Sequence, residues 1–276
     1  MGRALRFGFS PCPNDTFAFH ALVHGLVDSG GLSVAPFLAD VEELNQRALA
    51  HELEVSKLSF HALAHVLERY QLLRAGAALG RGCGPLVVAR TGFDPARLGQ
   101  VRVAVPGRLT TAHLLLSLYL GRPPLVQTME FSQVMPAVAG GQFEAGLIIH
   151  EGRFTYPSYG LASLLDLGAW WETETGRPIP LGCIVARRDL GPEVIGQVER
   201  TLAASVAHAQ AHPQDSRDYV LAHAQEMQPS VVVQHIELYV NDFSRDLGDE
   251  GLAAVEELLA RGRASGLLPP AKVSLW

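Results

Sequence analysis

The sequence predicts an α/β protein made of two similar lobes around a ligand cleft, with two crossover strands joining the lobes. Segments with strand and helix character alternate along the chain, which is typical of largely parallel sheets. The order of these segments in the first part of the chain then repeats. Two pairs of segments are also similar in sequence, namely CGPLVVAR with LGCIVAR, and ALAHELEVSKLS with AVAGGQFEAGLII.

The first series of elements is bounded by clear turn residues. Residues 4–9 form an apolar strand that ends in a Pro-Cys-Pro turn. Asn14 or Asp15 is expected to cap the next helix, to about residue 27, because a side-chain oxygen there can accept a free backbone N–H. The series continues with a strand at 32–38, a helix at 41–50, a strand at 54–59 and a helix at 60–70.

The second series has the same order of strand, turn and helix. It is predicted as a strand at 101–105, a helix capped by Thr110 or Thr111 and running to about 120, a strand at 125–129, a helix at 131–140 and a strand at 145–149. Further helices are expected at 192–212, 230–238 and 251–265.

The two segments ending in Val-Ala-Arg, near 84–90 and 181–187, set the predicted lobe boundaries. If the chain crosses between lobes there, residues 1–88 and 188–276 form the larger lobe and residues 89–187 the smaller one. Two lobes joined by two strands create a hinged cleft, which is a common place for small ligands.

Composition narrows the functional class. The 276 residues are enough for about two folding units, and 22 basic against 28 acidic residues give a formal charge of −6, which disfavours nucleic acid as a partner. The three cysteines form no C-x-x-C pair, which favours a reducing compartment. Neither a signal peptide nor a membrane span is predicted, so a cytoplasmic protein without membrane partners is expected.

Two candidate ligand motifs belong to the first series. The segment SPCPNDTF places Asn14 at the carboxyl end of a strand, the edge where α/β sheets bind ligands. The segment EVSKLSF places Ser56, Lys57 and Ser59 at the end of another strand, where the lysine could pair with an anionic ligand. Helix capping and a solvated lysine are the alternative interpretations.

Two further motifs belong to the second series. Thr110, Thr111 and the amides after them begin a helix, and such an end attracts carboxylate or phosphate. His150 follows a buried strand directly, where an imidazole can accept a proton near neutral pH. A capping threonine and a structural histidine remain alternatives.

The sequence predicts neither a metal nor an organic cofactor. The histidine pairs His20/His24 and His61/His65 lack an H-E-x-x-H glutamate and a third ligand. No Walker pattern, no strand followed by G-x-G-x-x-G and no G-x-S-x-G elbow occurs.

Taken together, the four motifs SPCPNDTF, EVSKLSFHAL, PGRLTTAHLLL and GLIIHEGRFTY resemble the 1,4-dihydroxy-6-naphthoate synthases of the futalosine route to menaquinone. The motifs stand in family order, and the resemblance covers essentially the whole chain. It implies a type II periplasmic-binding-protein-like fold and a cofactor-free lyase that acts on cyclic dehypoxanthinylfutalosine, a small-molecule carboxylate.

The resemblance also implies roles for particular residues. His150 corresponds to the proposed proton acceptor, and Ser56, Lys57, Thr111 and Ala112 correspond to substrate-contacting positions. Asn14 is not among these positions and is expected in the cleft only because it lies at the carboxyl end of a strand. A chorismate dehydratase-like enzyme, a small-anion-binding protein of the same fold and a ligand-sensing regulatory domain are the competing interpretations, and a homodimer stays open.

Overall fold

Two mixed β-sheets organise the chain. The structure is a computed structural model that describes residues 4–224 and 228–276. Each sheet contains one strand that runs parallel to its neighbour on either side. One of these two neighbours also pairs with a further strand, which runs antiparallel to it.

The first sheet has the strand order β2-β1-β3-β11-β4, with β5 also paired to β11. Strand β1 runs parallel to β2 and β3, whereas β11 runs antiparallel to β3, β4 and β5. Its strands are β1 (Leu5–Phe9), β2 (Val34–Leu38), β3 (Val55–Ser59), β4 (Tyr70–Leu72), β5 (Ala78–Gly80) and β11 (Ile179–Arg187). The crossover helices are α1 (Pro13–Val23) and α2 (Val41–Leu49), and α3 (Phe60–Val66) follows β3.

The second sheet has the order β10-β6-β9-β7-β8. Strand β7 is parallel to β8 and β9, and β6 is antiparallel to β9 and β10. Its strands are β6 (Leu86–Arg90), β7 (Val103–Val105), β8 (Val126–Thr128), β9 (Ala145–Ile148) and β10 (Leu161–Asp166), with the crossover helices α4 (Thr111–Leu120) and α5 (Phe131–Ala139). Strands β6 and β11 therefore hold equivalent positions, which accounts for their shared Val-Ala-Arg ending.

The remaining helices pack around the two sheets. They are α6 (Gly152–Thr155), α7 (Leu167–Thr175), α8 (Pro192–Ala211), α9 (Arg217–His223), α10 (Pro229–Tyr239), α11 (Asp242–Arg245) and α12 (Gly248–Ala264). None of the helices in the described ranges is long and apolar enough to cross a membrane.

One apolar cluster extends from the first sheet to the second. Leu63 of α3, Leu115 of α4, Leu147 of β9 and Leu258 of α12 all belong to it and are fully buried. Burial of each such side chain contributes roughly 1.5–3 kcal/mol relative to exposure. This packing fixes the two sheets relative to each other beside the cleft.

The predicted α/β fold with an internal repeat is confirmed, and several element boundaries are corrected. The first helix ends at Val23 rather than near residue 27, because Gly25 adopts a left-handed φ of 66°. The helix predicted at 60–70 ends at Val66, since Tyr70 pairs with Arg187 in the first sheet. Strands β4, β5 and β10 and helices α6, α7, α9 and α11 have no counterpart among the predicted elements.

The cap predicted for the first helix is wrong. Cys12 is the N-cap and provides no side-chain hydrogen bond, and Pro13 occupies the first turn, where its missing N–H costs nothing. The Asp15 carboxylate instead accepts hydrogen bonds from Ser10. The lobe boundaries at 88/89 and 187/188 stay a prediction, although strand β6 lies wholly in the second sheet and β11 wholly in the first.

Candidate active site

A cavity of about 650 Å³, including its open mouth, lies between the two sheets at the carboxyl ends of β1, β3 and β9. Both sheets contribute to its walls, which are lined by Ser10, Asn14, Asp15, Val41, Lys57, Ser59, Ala78, Gly84, Pro85, Thr110, Thr111, Ala112, Ile149, His150, Leu181, Gly182, His235 and Tyr239.

The cavity brings together all but one of the side chains singled out from the sequence. Those lining it are Asn14, Lys57, Ser59, Thr110, Thr111, Ala112 and His150. Ser56 does not line it, because side chains alternate along β3 and Ser56 lies on the opposite face from Lys57 and Ser59. The Ser56 hydroxyl is fully buried and donates to the Lys57 carbonyl at 3.0 Å.

Lys57 forms a buried ion pair with Asp15. Its ammonium contacts the Asp15 carboxylate, and the two side chains are 7% and 2% exposed. The same carboxylate accepts hydrogen bonds from the Ser10 N–H at 3.1 Å, the Ser10 hydroxyl at 2.8 Å and the Asn14 amide at 2.8 Å. The Lys57 charge, expected from the sequence to face an anionic ligand, is therefore already balanced within the protein.

The start of α4 forms a second wall. Thr110 is its N-cap, as predicted, and its hydroxyl accepts from the His113 N–H at 3.2 Å. The Thr111 hydroxyl donates to the Leu181 carbonyl of β11 at 2.6 Å. The first-turn N–H groups and the helix dipole make this end of α4 favourable for a carboxylate.

Glu42 of α2 reaches the turn before α4. Its carboxylate accepts from the Leu109 N–H at 3.2 and 3.3 Å, and burial raises the pKa of that carboxyl. A Cβ at Gly107 would lie only 2.3 Å from the Glu42 carboxyl group, so the approach depends on this glycine. The Glu42 side chain, from a helix that packs on the first sheet, therefore already binds the Leu109 N–H of the turn before α4.

His150 lies two residues after the end of β9 and lines the cavity. Its backbone holds a left-handed φ of 54°, a conformation that is uncommon outside glycine and is often found at functional sites. Its Nδ1 lies 3.5 Å from the Cys12 sulfur, and the Phe131 ring packs edge-on against it at 5.1 Å. Its buried Nε2 has no hydrogen-bond partner within the described ranges.

His235 of α10 is a cavity residue that the sequence did not indicate. It is 1% exposed, and its Nε2 lies 2.9 Å from the Asn14 side-chain oxygen. Its ring stacks near His150 at a centroid distance of 6.2 Å and contacts Tyr239 at 4.8 Å. Burial lowers the pKa of His235 well below its usual value, and the charges of His150 and Lys57 lower this pKa further.

The thiol of Cys12 is also part of this region. Burial raises its pKa well above the usual value, and the charge of Glu151 raises it further, so the thiol stays protonated. In the described part of the chain, no group of three or more His, Cys, Asp or Glu side chains is arranged to hold a metal ion. Acid–base chemistry and anion binding are what these side chains can supply.

Comparison with known proteins identifies close relatives over nearly the full length. A family model described as menaquinone biosynthesis matches residues 5–264. A 1,4-dihydroxy-6-naphthoate synthase from Thermus thermophilus is 54% identical over 274 residues, covering 99% of each chain. Another 1,4-dihydroxy-6-naphthoate synthase, from Streptomyces coelicolor, is 48% identical and covers 96% of this chain and 95% of its own.

Solved structures agree on the fold. A protein from Archaeoglobus fulgidus superposes with a TM-score of 0.90 at 36% identity, covering 96% of this chain and 98% of its own. A Candida albicans protein described as having the generic periplasmic binding protein fold superposes with a TM-score of 0.71 at 12% identity, covering 98% and 92%. The predicted periplasmic-binding-protein-like fold is thereby confirmed.

Proposed function

The chain belongs to the menaquinone-biosynthesis family, and from that membership we propose that it is a 1,4-dihydroxy-6-naphthoate synthase. The reaction proposed is the lyase conversion of cyclic dehypoxanthinylfutalosine to 1,4-dihydroxy-6-naphthoate, without a cofactor. The observation that carries the proposal is His150, a histidine at a strand end in the cavity whose Nε2 has no hydrogen-bond partner among the described residues.

The substrate carboxylate is proposed to bind at the start of α4. Thr111 and Ala112 begin that helix and line the cavity, so their backbone N–H groups can donate to an anion. Lys57 and Ser59 form the facing wall. Because Lys57 is paired with Asp15, we expect backbone amides to provide most of the carboxylate binding.

His150 is proposed to act as the general base. When Nδ1–H donates to the Cys12 sulfur, Nε2 carries the lone pair that accepts the substrate proton. The substrate carries a ring ketone and a sugar-derived spiro ring. Removal of a proton beside the ketone starts an elimination, in which a sugar oxygen leaves with the electrons of its carbon–oxygen bond. Removal of a hydroxyl proton instead starts a retro-aldol step, in which the electrons of the broken carbon–carbon bond form the enolate of the ketone and the sugar fragment leaves as a carbonyl product. Aromatisation of the second ring drives the reaction, and a positioned base contributes about 10²–10⁴-fold in rate.

The test compares wild type with His150→Ala in an assay of cyclic dehypoxanthinylfutalosine conversion, with naphthoate detected by mass. His65→Ala is the matched control, because His65 is exposed and does not line the cavity. We expect turnover by wild type and His65→Ala and a loss of at least about 10²-fold in folded His150→Ala.

Other results would redirect the proposal. Full activity in His150→Ala would remove this residue from the central role while keeping the enzyme. Absence of product from the wild type would reject the synthase. Ligand binding without conversion would favour the small-anion-binding protein, and product from the chorismate dehydratase reaction would favour that enzyme.

A further inference from the structure

Two buried acceptor atoms face each other beside the cavity. The Glu151 Oε2 and the His235 Nδ1 are 3.8 Å apart, which is too long for a hydrogen bond. The two side chains are 10% and 1% exposed. Within the described ranges neither atom has a hydrogen-bond partner, and such orphaned buried atoms usually cost about 1–3 kcal/mol each.

The hydrogen-bond chain behind His235 fixes which nitrogen carries its proton. The Asn14 amide nitrogen donates to Asp15 at 2.8 Å, so the Asn14 oxygen is the atom that faces His235. That oxygen can only accept, and His235 therefore carries its proton on Nε2. A neutral His235 then presents a bare Nδ1 lone pair to a carboxylate, and a single proton placed between them would satisfy both atoms.

The charges around the cavity favour that proton once an anion is bound. Lys57 and Asp15 cancel each other, so the Glu151 carboxylate, which does not itself line the cavity but lies 3.8 Å from the lining residue His235, leaves a net negative charge beside the cavity. A carboxylate ligand adds a second negative charge within a water-poor cleft. Neutralising one of the two anions with a proton from solvent removes their repulsion.

We propose that Glu151 and His235 form a proton-storing pair, which takes up one proton from solvent when an anionic ligand occupies the cleft. The uptake draws the Glu151 Oε2 and the His235 Nδ1 from 3.8 Å to hydrogen-bond distance, with the proton held between them, while the His235 Nε2–H keeps its bond to Asn14. No covalent bond of the ligand changes in this step. The inference rests on the proposed function in its choice of an aromatic carboxylate as ligand.

Other ionisable groups face the pair from each neighbouring element. Burial raises the pKa values of the Cys12 thiol and the Tyr239 phenol, so both already hold their protons. The Arg153 guanidinium is bound to Asp166 at 2.5 Å and stays charged. Lys57 and Asp15 are paired with each other. His150 is then the one competing acceptor among these groups, and the experiment must separate it from the pair.

The test is calorimetric titration of 1,4-dihydroxy-6-naphthoate, under anaerobic conditions, into wild type and variants in buffers of different ionisation enthalpy. The slope of the observed heat against buffer enthalpy counts the protons taken up. For wild type we expect uptake approaching one proton at pH 7.5, and an affinity that falls about tenfold for each unit of rising pH. Glu151→Gln and His235→Gln should lose this uptake and its pH dependence while still binding the ligand.

A matched variant distinguishes loss of the proton-storing pair from a general effect of removing a charge. Glu237→Gln lies on the same helix as His235, is exposed and carries the same charge change as Glu151→Gln, so its proton count should equal that of wild type. Unchanged uptake in both pair variants, or no uptake in wild type, would overturn the inference. Uptake lost only in His150→Ala would assign the proton to His150 and also overturn it.

The outcome is separable from that of the proposed function. Turnover of cyclic dehypoxanthinylfutalosine by the same wild-type preparation tests the function, whereas the proton count of product binding tests the pair. If the wild type forms product but proton uptake in Glu151→Gln and His235→Gln equals that of the wild type, the inference is rejected and the proposed function stands. If the wild type forms no product and binds no naphthoate, the proposed function fails and the inference falls with its ligand.

Discussion

Replacement of Lys57 by methionine should destabilise the protein substantially, because it leaves a buried carboxylate without its cation. Lys57 and Asp15 are 7% and 2% exposed, and breaking such a pair typically costs about 3–5 kcal/mol. Asp15 keeps three hydrogen bonds, two from Ser10 and one from Asn14, which offset part of the loss. We therefore expect a loss near the lower limit, about 3 kcal/mol.

Asp15→Asn should cost more than Lys57→Met. In the described structure Asp15 is the ion-pair partner of Lys57, so its removal leaves a buried ammonium with no opposite charge. The double variant Lys57→Met/Asp15→Asn buries no net charge. Its loss should be smaller than the sum of the single losses by about 2 kcal/mol or more, which is the coupling of a directly contacting pair.

Urea denaturation followed by circular dichroism measures these free energies of unfolding, and the melting temperature gives a second readout. A loss of about 3 kcal/mol corresponds to a fall of roughly 6–12 °C in a chain of this size. Lys272→Met is the matched control, since the Lys272–Glu68 pair is 72% and 58% exposed, and its loss should leave the free energy of unfolding almost unchanged. Additive single losses, or a Lys57→Met loss no larger than that of Lys272→Met, would refute the reasoning.

Two further predictions concern Gly182 in the cavity wall and His61 of α3, whose Nδ1 lies 3.2 Å from the Thr110 carbonyl oxygen at the start of α4. Gly182→Ala should lower kcat/KM about tenfold or more, because the new Cβ would lie 2.9 Å from the Lys57 Cε and 3.1 Å from the Leu58 carbonyl oxygen. Gly196→Ala is the control and should keep wild-type kinetics, because its Cβ would meet only an arginine side chain at 3.4 Å. Equal kinetics in the two variants would contradict the argument. Burial lowers the pKa of His61 to about 4, so the unfolded chain binds the extra proton first as pH falls. The stability due to neutral His61 is thus full above about pH 6.5 and is lost between pH 6.5 and 4, by about 3 kcal/mol. Urea denaturation at several pH values should show a flatter dependence in His61→Gln, and an unchanged slope would count against this assignment.

The repeated part of the fold could be predicted because each element has its own local signal. Strands such as β1 and β9 are short apolar runs followed by polar turn residues, and Thr110 is a capping residue directly before an apolar helix. Strand β10 escaped prediction because Leu161–Asp166 continues without a turn signal into the apolar start of α7. Strand β5 is three residues long and is defined by its pairing with β11.

The candidate site could be predicted only where its residues follow strands of the repeat. The order of strand and turn, which repeats in the two sheets, places Lys57, Thr111 and His150 at matching sheet edges, and all three line the cavity. His235 belongs to a helix outside the repeat, and its contact with Asn14 spans 221 positions. Local spacing carries no information about such a contact, so nothing in the sequence distinguishes His235 from the other histidines on helices.

The placement of β11 has a consequence for the order in which the protein assembles during translation. The neighbours Ser56 and Val185 of β3 and β11 are separated in the chain by every strand of the second sheet. The first sheet therefore stays incomplete on the ribosome until that whole insertion has emerged, whereas the second sheet is built from one continuous stretch. Because long-range pairing is slow, we expect the nascent second sheet to form first and the early strands β1 to β3 to need protection from aggregation until β11 arrives.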